Sequence, residues 1–289
     1  MTGPATGARS ASRLVAALIG GVIEPPVRGL SFVDPALLPG ATAQASPPVA
    51  LASTCAALRL DFAFVPSWEP WALDAVSALS VEGVSTLWVV PGVVWPALEA
   101  LGIDEGLRMS LRDPARLADA MNAALATALG RAAAGIEAGT AALVVADDMA
   151  GSAGPLLSGG WLGAEAFPRL ARIASLAADA GLPALLHCDG DARSLFALAR
   201  GAGFRGVHGD CGGVTGIESA LEAARSARIA LVGGIPTSEL SDPEGGARTG
   251  AKAALLARGG GLLISDDGGL TTSRQVAALI TALEVRRRP

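Results

Sequence analysis

With 289 residues, 51% of them hydrophobic, and a formal net charge of −5, the chain is long enough for one large domain and carries no basic stripe that would suit nucleic acid. Its mean hydropathy of +0.46 comes largely from alanine, and the longest uncharged run, Pro35 to Leu58, is interrupted by Pro35, Pro39, Pro47 and Pro48, so no membrane-spanning helix is expected. Three widely spaced cysteines, Cys55, Cys188 and Cys211, form no CxxC pair, which favours a reducing compartment over a disulfide framework; a cytoplasmic protein is expected.

Residues 1–12 contain Gly, Pro and Arg but no apolar signal-peptide core, and they read as a flexible leader ahead of one domain spanning 13–289. Short apolar runs then recur at Pro26–Phe32, Asp61–Pro66, Thr86–Val90, Ala141–Ala146, Ala184–His187, Gly206–Gly209, Ile229–Val232 and Gly261–Ile264. Each is followed by Gly, Pro, Asp or Ser, and Ala- and Leu-rich helical stretches such as Ala115–Ala138 and Ala164–Ala180 lie between them. Alternating strands and helices imply a parallel sheet with right-handed crossovers. Strands buried on both faces read as continuous apolar runs, as these do. Eight such units predict closure into a single-domain (β/α)₈ TIM barrel, for which about 250 residues is typical. The long first connection, Val33 to Ala50, follows a strand and is expected over the catalytic face.

Chemistry in this fold gathers past the carboxyl ends of the strands. Those positions hold Trp68 and Glu69, Trp95, Asp147 and Asp148, His187 to Asp189, His208 to Cys211, Gly233 and Gly234, and Asp266 and Asp267. Both histidines of the chain fall in this set. Side-chain alternation puts His187 and Asp189 on one face and Cys188, read as a packed thiol, on the other. Alternation also turns one of Asp147 and Asp148 inward. Asp191 reads as a cap for the helix that follows it, and Asp210 and Cys211 are turn residues or site residues with equal claim. His187, Asp189, Asp267 and Cys211 are the candidate metal ligands, a mixed N, O and S set suited to zinc. Without a metal, the same carboxylate–imidazole group supports acid–base work. The Gly233-Gly234 pair stands where such barrels cradle phosphate, whereas Gly259 to Gly261 precedes the last strand and belongs to the opposite face.

The segment Ala146-Asp147-Asp148-Met149-Ala150, with Leu185-Leu186-His187-Cys188-Asp189-Gly190 downstream, resembles the uroporphyrinogen decarboxylase superfamily; Ala230 to Ile235 and Leu263-Ile264-Ser265 extend the likeness. The resemblance implies a (β/α)₈ barrel enzyme. It is nearer the branch that transfers methyl groups between a corrinoid (cobalamin) protein and a thiol or pterin than to the true decarboxylases. There His187-Cys188-Asp189-Gly190 stands for a zinc-binding His-x-Cys-Gly, with Asp189 in place of the thiolate, and Gly268 stands for a late cysteine. The resemblance therefore makes zinc the expected metal, a corrinoid-binding protein the expected partner, and His187, Asp148 and Asp189 the expected catalytic residues. Arg28, Trp68, Glu69, His208, Asp210 and Gly234 are the expected contacts to a small-molecule substrate. Two alternatives stand beside methyl transfer: a lyase decarboxylating a tetrapyrrole or other carboxylate-rich substrate, and a non-catalytic barrel that binds a tetrapyrrole or a partner.

Overall fold

The computed structural model describes residues 5–39, 45–209 and 216–285. Eight parallel strands follow one another around a barrel: β1 (Gly29–Leu30), β2 (Phe62–Pro66), β3 (Ser85–Pro91), β4 (Ala142–Ala146), β5 (Ala184–His187), β6 (Gly206–His208), β7 (Ala230–Ile235) and β8 (Leu262–Asp266). Closure comes from a parallel bridge between Arg28 and Ile264, where the amide of Ile264 donates to Val27 O at 2.9 Å. The expected (β/α)₈ barrel is thus the observed one. Among the described residues no helix is long and apolar enough to cross a membrane.

Alternation along the strands sorts the core into two layers. Phe62, Phe64, Leu87, Val89, Val144, Leu185, Val232 and Leu263 fill the interior. Their neighbours Ala63, Val65, Trp88, Val90, Leu143, Val145 and Leu186 pack against the surrounding helices. The interior needs a floor at the amino ends of the strands, and helix α1 (Ala5–Leu18) supplies it through Leu14, Ala17 and Leu18. Residues 5–12 of the expected flexible leader thus belong to this helix. The spacing of these three apolar residues places them on one helical face, and Ser10 meets the hydroxyl of Ser85 at 2.8 Å while Arg13 binds Asp61 at 2.7 Å. Lacking a signal-peptide core does not leave residues 5–12 unstructured, because the helix they begin carries this stripe at its far end.

Helix α6 (Pro114–Glu137) starts as its sequence suggests, with Asp113 accepting the Arg116 amide and Pro114 in the first turn. Gly135 in this helix lies against the indole of Trp88, whose Nε1 donates to Arg131 O at 2.9 Å. A Cβ at position 135 would stand 2.3 Å from the Trp88 ring. Alanine is favoured over glycine in a helix by about 1 kcal/mol, but overpacking costs about 1–3 kcal/mol. At this distance the clash wins: Gly135→Ala is expected to lower stability by about 1–2 kcal/mol, read from the denaturant midpoint. A gain in stability would show that Trp88 is free to move.

Candidate active site

Strand β4 ends with two adjacent aspartates, and alternation separates their roles. Asp147 continues the outward row of Leu143 and Val145 and is fully buried. Its carboxylate accepts the amides of Val93 at 2.8 Å, Val94 at 3.0 Å and Trp95 at 2.7 Å, capping helix α4 (Val94–Leu101). Burial pushes its carboxyl up to about 6, against the pull of those three N–H donors. Asp148 continues the inward row and points into the barrel mouth.

His187 and His208 are paired in the register of β5 and β6 and both face inward. Their Nδ1 atoms are 2.8 Å apart, and His208 Nε2 lies 3.0 Å from Asp266 O. A carbonyl only accepts, so His208 Nε2 carries a proton. Burial, and then the neighbouring His187, hold His208 well below its ordinary pKa, so it is neutral and its Nδ1 accepts. The proton between the rings therefore sits on His187 Nδ1, and His187 Nε2 is the ring nitrogen turned to the cavity, a lone-pair donor whenever the ring is neutral. This tautomer follows from the hydrogen-bond chain together with the neutral state of His208. The ring of Phe32 packs against that of His187, with centroids 4.7 Å apart and planes tilted by 51°.

His187 Nε2 looks toward two carboxylates, Asp148 Oδ1 at 3.7 Å and Asp189 Oδ1 at 3.8 Å. Asp148 Oδ1 also accepts the Asp189 amide at 3.0 Å, which ties the ends of β4 and β5 together. One ligand atom from each of Asp148, His187 and Asp189 falls within 4.8 Å of the others. The three open onto a cavity of about 370 Å³ whose walls include Phe32, Trp68, Trp95, Glu99 and Asp267. A second cavity of about 690 Å³ adjoins it across Phe32 and Trp68, under the 33–36 segment, and takes in Glu69 and Trp71. Among the described lining residues of both cavities there is no lysine or arginine.

Several expected site residues stand elsewhere. Arg28 precedes β1 instead of following it, and its guanidinium donates to the carbonyl of Leu283 in the C-terminal helix α11 (Ser273–Glu284); it lines neither cavity. Gly234 lies inside β7, which runs on to Ile235, and a Cβ there would face Leu262 and Ala253 in the outer layer. His208 is 1% exposed and supports His187 from behind, so it is not a substrate contact. Asp267 lines the cavity but stands outside the three-ligand group, its Oδ1 accepting Thr237 N at 2.8 Å and Thr237 Oγ1 at 2.6 Å. Asp210 and Cys211 lie outside the described residues. Cys188 is buried, its sulfur 3.3 Å from the Met149 amide. Asp191 pairs with Arg193 at 2.8 Å, which holds its carboxyl below the ordinary range.

Sequence reasoning passed over Phe32, the platform for His187, and Glu99, one helical turn after Trp95 on the cavity wall. It had the signal for the histidine pair, since both end adjacent strands.

No protein-family model matches the chain, and no curated protein matches it. Solved structures do. A methyltransferase from Methanosarcina mazei superposes with a TM-score of 0.74 at 17% identity, over 96% of this chain and 99% of that one. A D-allulose 3-epimerase from Methylomonas sp. gives 0.56 at 13% identity, over 91% and 98% of the two chains. An archaeal fructose-1,6-bisphosphate aldolase gives 0.52 at 12% identity, over 96% of each. At these identities the likeness is one of fold: the chain has the barrel architecture that these enzymes share.

Proposed function

We propose that this barrel is a metal-dependent methyltransferase, acting on a methyl group carried by the corrinoid of a partner protein and passing it to a thiol or pterin. The observation that carries the reading is the convergence of Asp148 and Asp189 on the cavity-facing nitrogen of an imidazole whose other nitrogen is engaged by His208. A ring nitrogen of a buried histidine, with two carboxylates beside it, is a donor set that fits a divalent ion. Asp148, His187 and Asp189 would hold it, and His208 would orient the ligand histidine in the outer shell. The metal would supply a lowered pKa to an acceptor thiol. With oxygen donors in place of sulfur the site is harder than a thiolate site, which favours a pterin or other acceptor beside the thiol. The chain's own part is to exclude water with Trp68, Trp95 and Phe32 and to position the reacting group.

Methyl transfer draws support from the full-length fold likeness to the Methanosarcina methyltransferase and from His187-Cys188-Asp189-Gly190 at the end of β5, the feature on which the uroporphyrinogen decarboxylase superfamily reading rests. Decarboxylation of a carboxylate-rich tetrapyrrole is the weaker reading, because the described cavity walls bear Glu69, Glu99, Asp148 and Asp189 and no cation to meet substrate carboxylates. Covalent chemistry through lysine, as in the aldolase structure, has no residue here: the single lysine, Lys252, lies on helix α10 (Pro243–Ala257) paired with Glu218 at 2.8 Å.

The test is metal content of the purified protein together with demethylation of methylcobalamin in the presence of a thiol or a reduced pterin. We expect about one zinc per chain and turnover that stops when the metal is chelated. A metal-free protein with no turnover after zinc is restored would overturn the reading.

A further inference from the structure

The opposite end of the barrel holds a further polar cavity, of about 400 Å³, that the proposed activity does not use. Arg200, Arg205, Arg225 and Arg228 line it, with the Gly259 to Gly261 turn and the end of α1 at Leu18 to Gly20. No carboxylate is among its lining residues. In a chain of net charge −5 this is a concentrated positive patch, and cations gathered around one concavity raise the local concentration of anions.

Helix ends explain part of the cluster. Arg200 and Arg225 occupy last turns, of α8 (Phe196–Gly201) and α9 (Ile217–Ser226), where a cation complements the dipole. Arg225 also donates to Gly260 O at 2.7 Å, and a Cβ at Gly259 would stand 2.7 Å from its guanidinium, so the glycine turn is shaped around it. Arg205 and Arg228 are not accounted for in this way. Arg205 directly precedes β6 and Arg228 stands two residues before β7, both outside any helix, and among the described residues neither carries an ion pair. Arg228 holds φ at +57°, in the left-handed region that Gly139, Gly181 and Gly203 occupy before other strands. A side chain is retained there at a conformational cost that glycine avoids.

We propose that this cavity binds a small polyanion of phosphate type, such as a phosphate ester or diphosphate. Planar guanidinium forks match phosphate oxygens in pairs, and a concave cavity of this size suits a small molecule. Its lining residues come from the amino ends of β6 to β8, so the ligand sits across the barrel from His187 and is an effector or stabiliser, not the substrate. It bridges the end of α1 to the turns before β6, β7 and β8, so binding clamps the floor of the barrel.

Titration calorimetry and thermal unfolding with inorganic pyrophosphate test this, with sodium chloride at equal ionic strength as the control. The intact protein is expected to bind one pyrophosphate per chain and to melt at higher temperature with it. R205Q/R228Q is expected to lose at least tenfold in affinity, and R59Q, which alters an exposed arginine of the same positive φ outside the cavity, is expected to bind as the parent does. If R205Q/R228Q does not fold, R205K/R228K, which keeps the charges without the forks, is expected to fold and bind several-fold more weakly. Absence of binding, an equal shift with chloride, or unchanged affinity in R205Q/R228Q or in R205K/R228K would overturn the proposal.

Discussion

Asp147→Ala is expected to destabilise the protein by about 3 kcal/mol, the sum of a lost helix cap at about 1 kcal/mol and buried amides left unpaired at about 1–3 kcal/mol each, less the relief of removing a buried carboxylate. The donors concerned are the amides of Val93, Val94 and Trp95, and the side chains of Val93 and Val94 are at most 1% exposed, so water does not replace the carboxylate freely. For a chain of this size the melting temperature should fall by about 6–10 °C. Asp147→Asn keeps one acceptor oxygen and should lose about half as much. The same cap seats Trp95 on the cavity wall, so Asp147→Ala should also weaken substrate binding while leaving the three ligand residues in place. A loss below about 1 kcal/mol would mean that the turn before α4 is held by something other than this carboxylate.

The second large effect is expected at His187. Its Nε2 is the one nitrogen in the three-ligand group, and His187→Gln should reduce zinc affinity more than a hundredfold, since even outer-shell changes cost about 10–100-fold. Stability should change far less, because glutamine is close to histidine in volume and removes no methylene core. His208→Phe tests the tautomer argument separately. It leaves the proton on His187 Nδ1 without an acceptor, and affinity should fall about 10–100-fold. His208→Gln, whose Oε1 accepts in place of the lost nitrogen, should recover part of it. Equal affinities in the phenylalanine and glutamine variants would show that His208 is only packing. Competition against a chromophoric chelator reads all three.

Strand positions are legible in the sequence as apolar runs closed by Gly, Pro and Asp, because a parallel strand buried on both faces leaves that trace. The inward row of β4, Ala142, Val144 and Ala146, leads by alternation to Asp148 and leaves Asp147 for the helix layer. Sequence alone does not choose between the two aspartates, since the choice depends on where the strand ends. The same dependence misplaces Gly234: β7 continues for three residues past the expected end at Val232, which moves the glycine from a loop into the sheet. Arg28 is an expected substrate contact, yet it stands before its strand, and in this fold only residues beyond a strand's carboxyl end reach the mouth. Phe32 leaves no signal, because its contact with His187 depends on how the chain turns after β1, whose ladder spans only Gly29 and Leu30.

The central claim is a metal centre built from Asp148, His187 and Asp189 with nitrogen and oxygen donors. X-ray absorption at the zinc edge of the zinc-loaded protein tests it most directly. The account predicts a first shell of nitrogen and oxygen at about 2.0–2.1 Å, with imidazole scattering that disappears in His187→Gln. A sulfur shell at about 2.3 Å, or imidazole scattering that survives the substitution, would contradict it.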